Sequence, residues 1–320
     1  MCLILVFTTF SCKEDDDILE QMQDSAFIKY CYFNFDKDGD GKLSVSEAKA
    51  VKRIEGLPMK AIQSLKGIEF FTNLAVLNCS NQCLTSIDVS GCTNLEFLYC
   101  DNNYLSNLDI SGCTKIKELN CEFNQLTNLD VSGCTNLVYL YCNNNQLTSL
   151  DLSDCLNLIK LDCEFNRIKS LEISGYTNLK ELNCDVNQLT NINVSGCTNL
   201  EYFKCHVNQL TSLDISDCQK LILLDCVNNQ IKNLDISVCT NLRFLYCSHN
   251  QLTNLDLNNC PKLELLHCLQ NQLTSLDLSN CPKLDNLYCK DNPLTSITLS
   301  SSLSEFNDLS SYPSSIIHYE

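Results

Sequence analysis

The chain has little positive charge, few histidines and no tryptophan, and these shortages bound its function. Only 22 Lys and Arg stand against 39 Asp and Glu, a net charge of −17. Phosphate backbones are held by clustered positive charge, so a nucleic-acid binder is excluded. The four histidines are His206, His249, His267 and His318. They form no convergent catalytic cluster, and no Ser or Cys nucleophile sits beside them on a pocket wall, so the sequence carries no enzyme signal. The apolar run at residues 2–10 is too short to span a bilayer. Nine Gly and five Pro accompany 44% apolar residues, enough to bury a core, which excludes a chain disordered throughout. Twenty-four Cys would mark a short chain as a disulfide scaffold, but 320 residues are too many for that reading.

The spacing of those cysteines leads to an internal repeat. From Phe71 onward the sequence recurs every 21 residues, with starts at Phe71, Cys92, Cys113, Cys134, Cys155, Tyr176, Cys197, Cys218, Cys239, Cys260 and Cys281. Within a unit, Leu95, Leu98, Cys100 and Asn103 are followed by Leu105, Leu108, Ile110 and Cys113. Both halves place apolar residues at i, i+3 and i+5, and the last two alternate inward on a strand. Two strands per coil and eleven coils predict two parallel sheets, stacked over roughly 50 Å at ~4.8 Å per coil.

Leu-x-x-Leu-x-Cys-x-x-Asn-x-Leu resembles the leucine-rich repeat, with Cys in place of the third Leu. The 21-residue unit, with its second Leu-x-x-Leu-Asp-Leu half, is similar to the bacterial IRREKO type, and the internalin type is one residue longer. The resemblance implies a solenoid and usually a binding role. A fold alone names no partner.

The repeat accounts for most of the unusual residues. Asn103, Asn124, Asn145, Asn166, Asn187, Asn208, Asn229, Asn250, Asn271 and Asn292 form a ladder that Gln82 begins. Buried amides at turns satisfy backbone groups without strand partners, so this ladder reads as structural. Twenty cysteines fall on two further ladders, one from Cys79 to Cys289 and one from Cys92 to Cys281. Phe71 and Tyr176 substitute in the second, which suits buried thiols acting as small hydrophobes. A disulfide chain or a metal ladder is the alternative, but parallel thiols give neither the S–S dihedral nor converging ligands.

Ahead of the repeat lie two further signals. The run at residues 2–10 resembles a secretory h-region, and Cys12 after Ser11 resembles a lipoprotein acceptor, with Thr9 where a lipobox usually has Leu. Lys13-Glu14-Asp15-Asp16 looks like the surface-export signal of Bacteroidetes lipoproteins. The resemblance implies an exported protein, lipid-anchored through Cys12 at the outer membrane. Residues 36–47 then fit the twelve-residue EF-hand loop. Asp36, Asp38 and Asp40 offer carboxylates, Lys42 its carbonyl, Ser44 a contact through water, and Glu47 both oxygens, as hard Ca2+ requires. Flanking helices are predicted over 18–35 and from Val45 to Ile54. A single loop argues for a structural ion in an N-terminal cap, because sensors pair two.

The outward positions of the two strands differ. The second strand carries an almost uniform acidic row, from Asp88 through Asp109 and Asp130 to Asp277. Such a row says little about a partner, and repeat-level structure or diffuse cation binding explains it. The first strand varies from coil to coil and includes Phe97, Tyr99, Tyr139, Tyr141, Tyr202, Phe244, Tyr246, His267 and Tyr288. Exposed aromatic rows mark recognition sites, although Tyr and Phe also simply suit strands.

The expected protein is mainly β. It has a signal and lipobox-like segment (1–12), an acidic tether (13–17), an EF-hand helical cap (18–61), a leucine-rich repeat solenoid (62–299) and a C-terminal cap (300–320) built from Phe306, Leu309, Tyr312, Ile316 and Ile317. It is expected to be a non-enzymatic surface module that binds a protein, or secondly a glycan. The rival is a structural protein that self-associates through its acidic sheet.

Overall fold

The structure, a computed structural model, describes residues 16–301, 303, 309 and 312–319. The proposed export segment with Cys12, the first tether residues and Phe306 lie outside the described residues. A 3-10 turn at Ile18–Gln21 precedes two helices, α1 (Ser25–Phe35) and α2 (Val45–Ala50). Asp24 caps α1 by accepting from the Ala26 and Phe27 N–H groups, and its second oxygen accepts from Gln63, at the start of the array. Ser44 and Glu47 form a capping box on α2. Phe27 and Phe35 of α1 pack on Phe71, at ring-centroid distances of 6.5 and 5.8 Å, so α1 covers the apolar end of the first coil.

The predicted exit helix to Ile54 is corrected. It stops at Ala50, and Arg53–Ile54 is a strand paired in parallel with Val76 and Leu77. Lys52 already gives its carbonyl to the Ala75 and Val76 N–H groups, so sheet pairing captures the backbone that a longer helix would need. Ile62, Leu65 and Ile68 are buried behind this extra turn.

From there the first strands of all eleven repeats join that edge strand in one twelve-stranded parallel sheet. Register never slips: Leu77, Leu98, Leu119 and Leu140 lie on one inward column, and each neighbouring pair is 21 residues apart. Behind the sheet, each ladder Asn satisfies four backbone groups. Asn187 donates to the carbonyls of Cys163, Cys184 and Asp185 at 3.0–3.2 Å, and its Oδ1 accepts from Ile168 N–H at 3.0 Å. Gln82 accepts from Ala61 and Ile62, extending the ladder to the cap.

The second sheet is not continuous, which corrects the expectation of two full sheets. Its strands pair only at Ser86–Asp88 with Asn107–Asp109, at Ser170–Glu172 with Asn191–Asn193, and at Ser275–Leu278 with Ser296–Leu299. The last pair is closed by Ile317–Tyr319 of the C-terminal segment. Among the described residues, 128–130, 149–151, 212–214, 233–235 and 254–256 run there without strand pairing. All five carry Asp at the outward position, a poor strand residue that meets like charge in the next coil. Glu172 pairs with Asn193 and Asp277 with Thr298, whereas Asp88 with Asp109 is the exception.

The cysteines are core. All 22 described cysteines are free thiols and only Cys83 is not buried. Phe71 and Tyr176 occupy ladder positions and are buried too, and the Tyr176 hydroxyl donates to the Leu152 carbonyl.

Candidate binding face

Because the long sheet keeps register, its outward side chains fall into columns. Phe97, Glu118, Tyr139, Lys160, Glu181, Tyr202, Leu223, Phe244, Leu265 and Asn286 form one. Tyr99, Asn120, Tyr141, Asp162, Asn183, Lys204, Asp225, Tyr246, His267 and Tyr288 form the next. The aromatic residues singled out in the sequence therefore share a face, but not one patch. Phe97 and Tyr99 are half-buried at one end, with Tyr139 and Tyr141 two coils on and Tyr202 alone in the middle. Lys160 stands over the Tyr141 ring at 5.6 Å. Only the far end is contiguous: His267 lies 5.1 Å from Tyr246 and 4.1 Å from Tyr288, ring to ring.

Ion pairs trim one flank of this face. Glu96 meets Lys117 at 2.7 Å, and Arg243 meets Glu264 at 2.7 Å, in each case across adjacent coils. Such exposed pairs contribute little to stability and mainly fix which side chains stand free. The central coils hold one buried carboxylate, Asp185, and two half-buried ones, Asp162 and Asp225, that composition did not reveal. Burial pushes Asp162, Asp185 and Asp225 up, at Asp185 against the opposing pull of His206, whose Nδ1 lies 2.7 Å away.

A second feature escaped sequence reading. Two residues after each Cys of the Cys79–Cys289 ladder the chain turns left-handed, and Phe123, Phe165, Val186 and Val207 hold this position with φ of 50–51°. Asn81, Asn102, Asn144 and Asn228 hold it in four other coils, and His249, Gln270 and Asp291 in the last three. The contrast of Phe or Val with Asn at one repeat position was the available signal.

The acidic row on the other side is bound up with its own backbone. In ten successive coils the outward side chain accepts from the N–H two residues on, as Asp109 does from Ser111 at 3.0 Å and Asp214 from Ser216 at 3.0 Å. These bonds hold Asp109 and Asp214 below the usual carboxylate range. The row does local structural work as Asx turns.

At the N-terminus, ligand oxygens of Asp36, Asp38 and Asp40 lie within 4.8 Å of one another. Gly39 and Gly41 take φ of 75° and 85°, which lets the loop turn under these carboxylates. Asp36 accepts from both glycine N–H groups, and Asp40 from Lys42 N–H. Glu47 accepts from the Lys37 and Ser44 N–H groups and the Ser44 hydroxyl; these bonds outweigh partial desolvation and hold its carboxyl down. Leu43 is buried and its carbonyl accepts from Ile18 N–H, while Asp17 bridges Ser44, so the segment before α1 closes this lone loop.

The leucine-rich repeat family, in its two-copy form, matches residues 72–112, 114–154 and 135–176. No curated protein sequence matches the chain significantly. Among solved structures, the functional domain of InlJ from Listeria monocytogenes, described as including a cysteine ladder, is 28% identical, with 91% of this chain and 77% of that one covered and a TM-score of 0.65. The internalin InlF of the same organism is 22% identical over 96% of this chain and 93% of its own, with a TM-score of 0.72. A leucine-rich repeat protein of Leptospira interrogans is 24% identical over 74% and 66%, with a TM-score of 0.64. By its repeat and its fold, the chain has the architecture of a leucine-rich repeat solenoid and is similar to the internalins.

Proposed function

We propose that this chain is a non-enzymatic binding module that recognises a protein partner with the outward columns of its long sheet. One observation carries the reading: the inward columns repeat with little change, while the outward columns of the same strands change from coil to coil. The backbone ladder holds the sheet whatever stands outward, so those positions are free to be chosen for contact. Aromatic anchors on an extended, mixed-charge face suit a protein surface. A glycan is the second reading, favoured by the contiguous rings of Tyr246, His267 and Tyr288, which can stack on sugars. Capture of cell-surface material by the wild type and by a Tyr246→Ser, Tyr288→Ser variant tests the face. Loss of capture with an unchanged melting temperature supports it, and unchanged capture rejects it. Protease treatment of the captured material separates protein from glycan.

The loop at residues 36–47 is proposed to hold one structural Ca2+ through Asp36, Asp38, Asp40, the Lys42 carbonyl and Glu47, with Ser44 reached through water. Three converging carboxylates fit a hard cation. The ion would brace the turn between α1 and α2 and so the cap on the first coil. Calcium titration should separate the wild type from an Asp36→Ala, Glu47→Ala variant, and equal affinity rejects the site. Export and anchoring through Cys12 place the module at the outer surface in this proposal. Labelling with a radioactive fatty acid tests the anchor, and a Cys12→Ser variant that still takes up label removes it.

A further inference from the structure

The left-handed row beside the long sheet carries more than a turn. Asn tolerates positive φ because its short polar side chain bonds locally, and four coils use it. Branched and bulky side chains are disfavoured there, and sites kept in such conformations recur where function needs them. Burial does not explain Phe and Val at this position: Phe123 and Phe165 are 49% and 50% exposed, Val207 is 39% exposed, and Val186 is half-buried. Phe165, Val186 and Val207 occupy three consecutive coils and form an apolar ridge.

The row alongside is acidic. The Asn144 N–H donates to the Glu164 carbonyl and the Phe165 N–H to the Asp185 carbonyl, both at 3.0 Å, so the two rows run in register. Glu122, Asn143, Glu164 and Asp185 follow one another in that acidic row. Its centre is short of donors. Asn143 is 5% exposed and its Oδ1 accepts no hydrogen bond among the described residues. Beyond the Glu164 N–H that Asp162 accepts, Glu164 and Asp162 share the side-chain amide of Asn183, and Lys160 is engaged with Glu181 at 2.7 Å.

We propose that this edge binds a cationic polypeptide segment that also carries apolar side chains. Its Lys or Arg groups would meet Glu122, Asp162 and Glu164, and its apolar groups would cover Phe165, Val186 and Val207. The inference rests on the reading of the chain as a protein-binding module and specifies the partner's chemistry. Charge complementarity selects this occupant, because a donor-poor carboxylate strip in a chain of net charge −17 repels an acidic segment.

A labelled peptide of alternating Lys and Leu is the probe, titrated against the full chain by fluorescence anisotropy, with Lys-Ser and Glu-Leu peptides as controls. Two variants are compared with the wild type. One combines Phe165→Asn, Val186→Asn and Val207→Asn, which suits the left-handed backbone and should keep or raise the melting temperature. The other is Phe33→Ser with Met59→Ser, which removes exposed apolar groups at the capped end. The Lys-Leu peptide should bind the wild type best of the three, weaken as salt rises, and lose about tenfold in affinity on the Asn variant alone. Any other pattern overturns the proposal. A loss shared by the Phe33 and Met59 variant, or no peptide binding at all, does so while leaving the broader protein-binding reading to its own capture test.

Discussion

The two sides of each coil solve the same problem differently. On the long sheet, Asn78, Asn120, Asp162, Asn183 and Asp225 accept from the N–H two residues on, yet Tyr99, Tyr141 and Tyr246 stand at the same position and the strand persists. On the opposite side the equivalent bond recurs in ten successive coils, and strand pairing is lost in five of them. Where the backbone ladder carries the structure, the outward side chain is released. Where the side chain holds the turn, it is committed and becomes uniform. Variation therefore supports the long sheet as the proposed recognition face.

The largest expected effect is alkaline. Burial pushes the thiols behind both sides up, so their contribution to stability is full below the ordinary thiol pKa of 9.0 and is lost as pH rises through the folded values. The solenoid should unfold cooperatively between about pH 9 and 12, followed by circular dichroism. Individual thiols should differ in order. Cys134, Cys197 and Cys260, behind the interrupted side, are pushed up to about 11, whereas Cys100, Cys142 and Cys184 behind the long sheet are pushed well above 9.0. Alkylation mapped by mass spectrometry at rising pH should reach the first group earlier, after Cys83; the reverse order would break the comparison.

Next in size is Asn187→Ala, which removes three donated bonds and one accepted bond in a buried turn. A loss of roughly 3–5 kcal/mol is expected in denaturant unfolding. By contrast Asp214→Ala, on the interrupted side, removes an exposed turn bond and should cost only about 0.5 kcal/mol. Smallest of all, Tyr246→Ser with Tyr288→Ser should move stability by no more than about 0.5 kcal/mol in the same assay.

Much of this was legible from the residues. The 21-residue period placed the eleven coils, and the i+3/i+5 pattern identified the buried Leu and Cys columns, because burial is periodic and side-chain identity reports it. The Asn ladder was equally readable, since an amide repeated at one turn has backbone to satisfy. The twelfth strand was hidden because Arg53–Ile54 lies outside the repeat and joins the sheet only through its backbone. The interruption of the second sheet was hidden for a different reason. Apolar alternation fixes which side chains point inward, but strand pairing also depends on what like-charged neighbours do outward. Asp162, Asp185 and the Phe165 row looked like ordinary surface, because burial of a carboxylate and a left-handed φ follow from the coil's path.

The central claim is that the long sheet is the recognition face and the acidic row is structural. It is tested most directly by measuring melting temperature and capture of cell-surface material together on two double variants, Tyr246→Ser with Tyr288→Ser and Asp130→Ala with Asp214→Ala. The prediction is lost capture at unchanged melting temperature for the tyrosines, and retained capture at a slightly lowered melting temperature for the aspartates. Capture lost with the aspartates and kept without the tyrosines would contradict it.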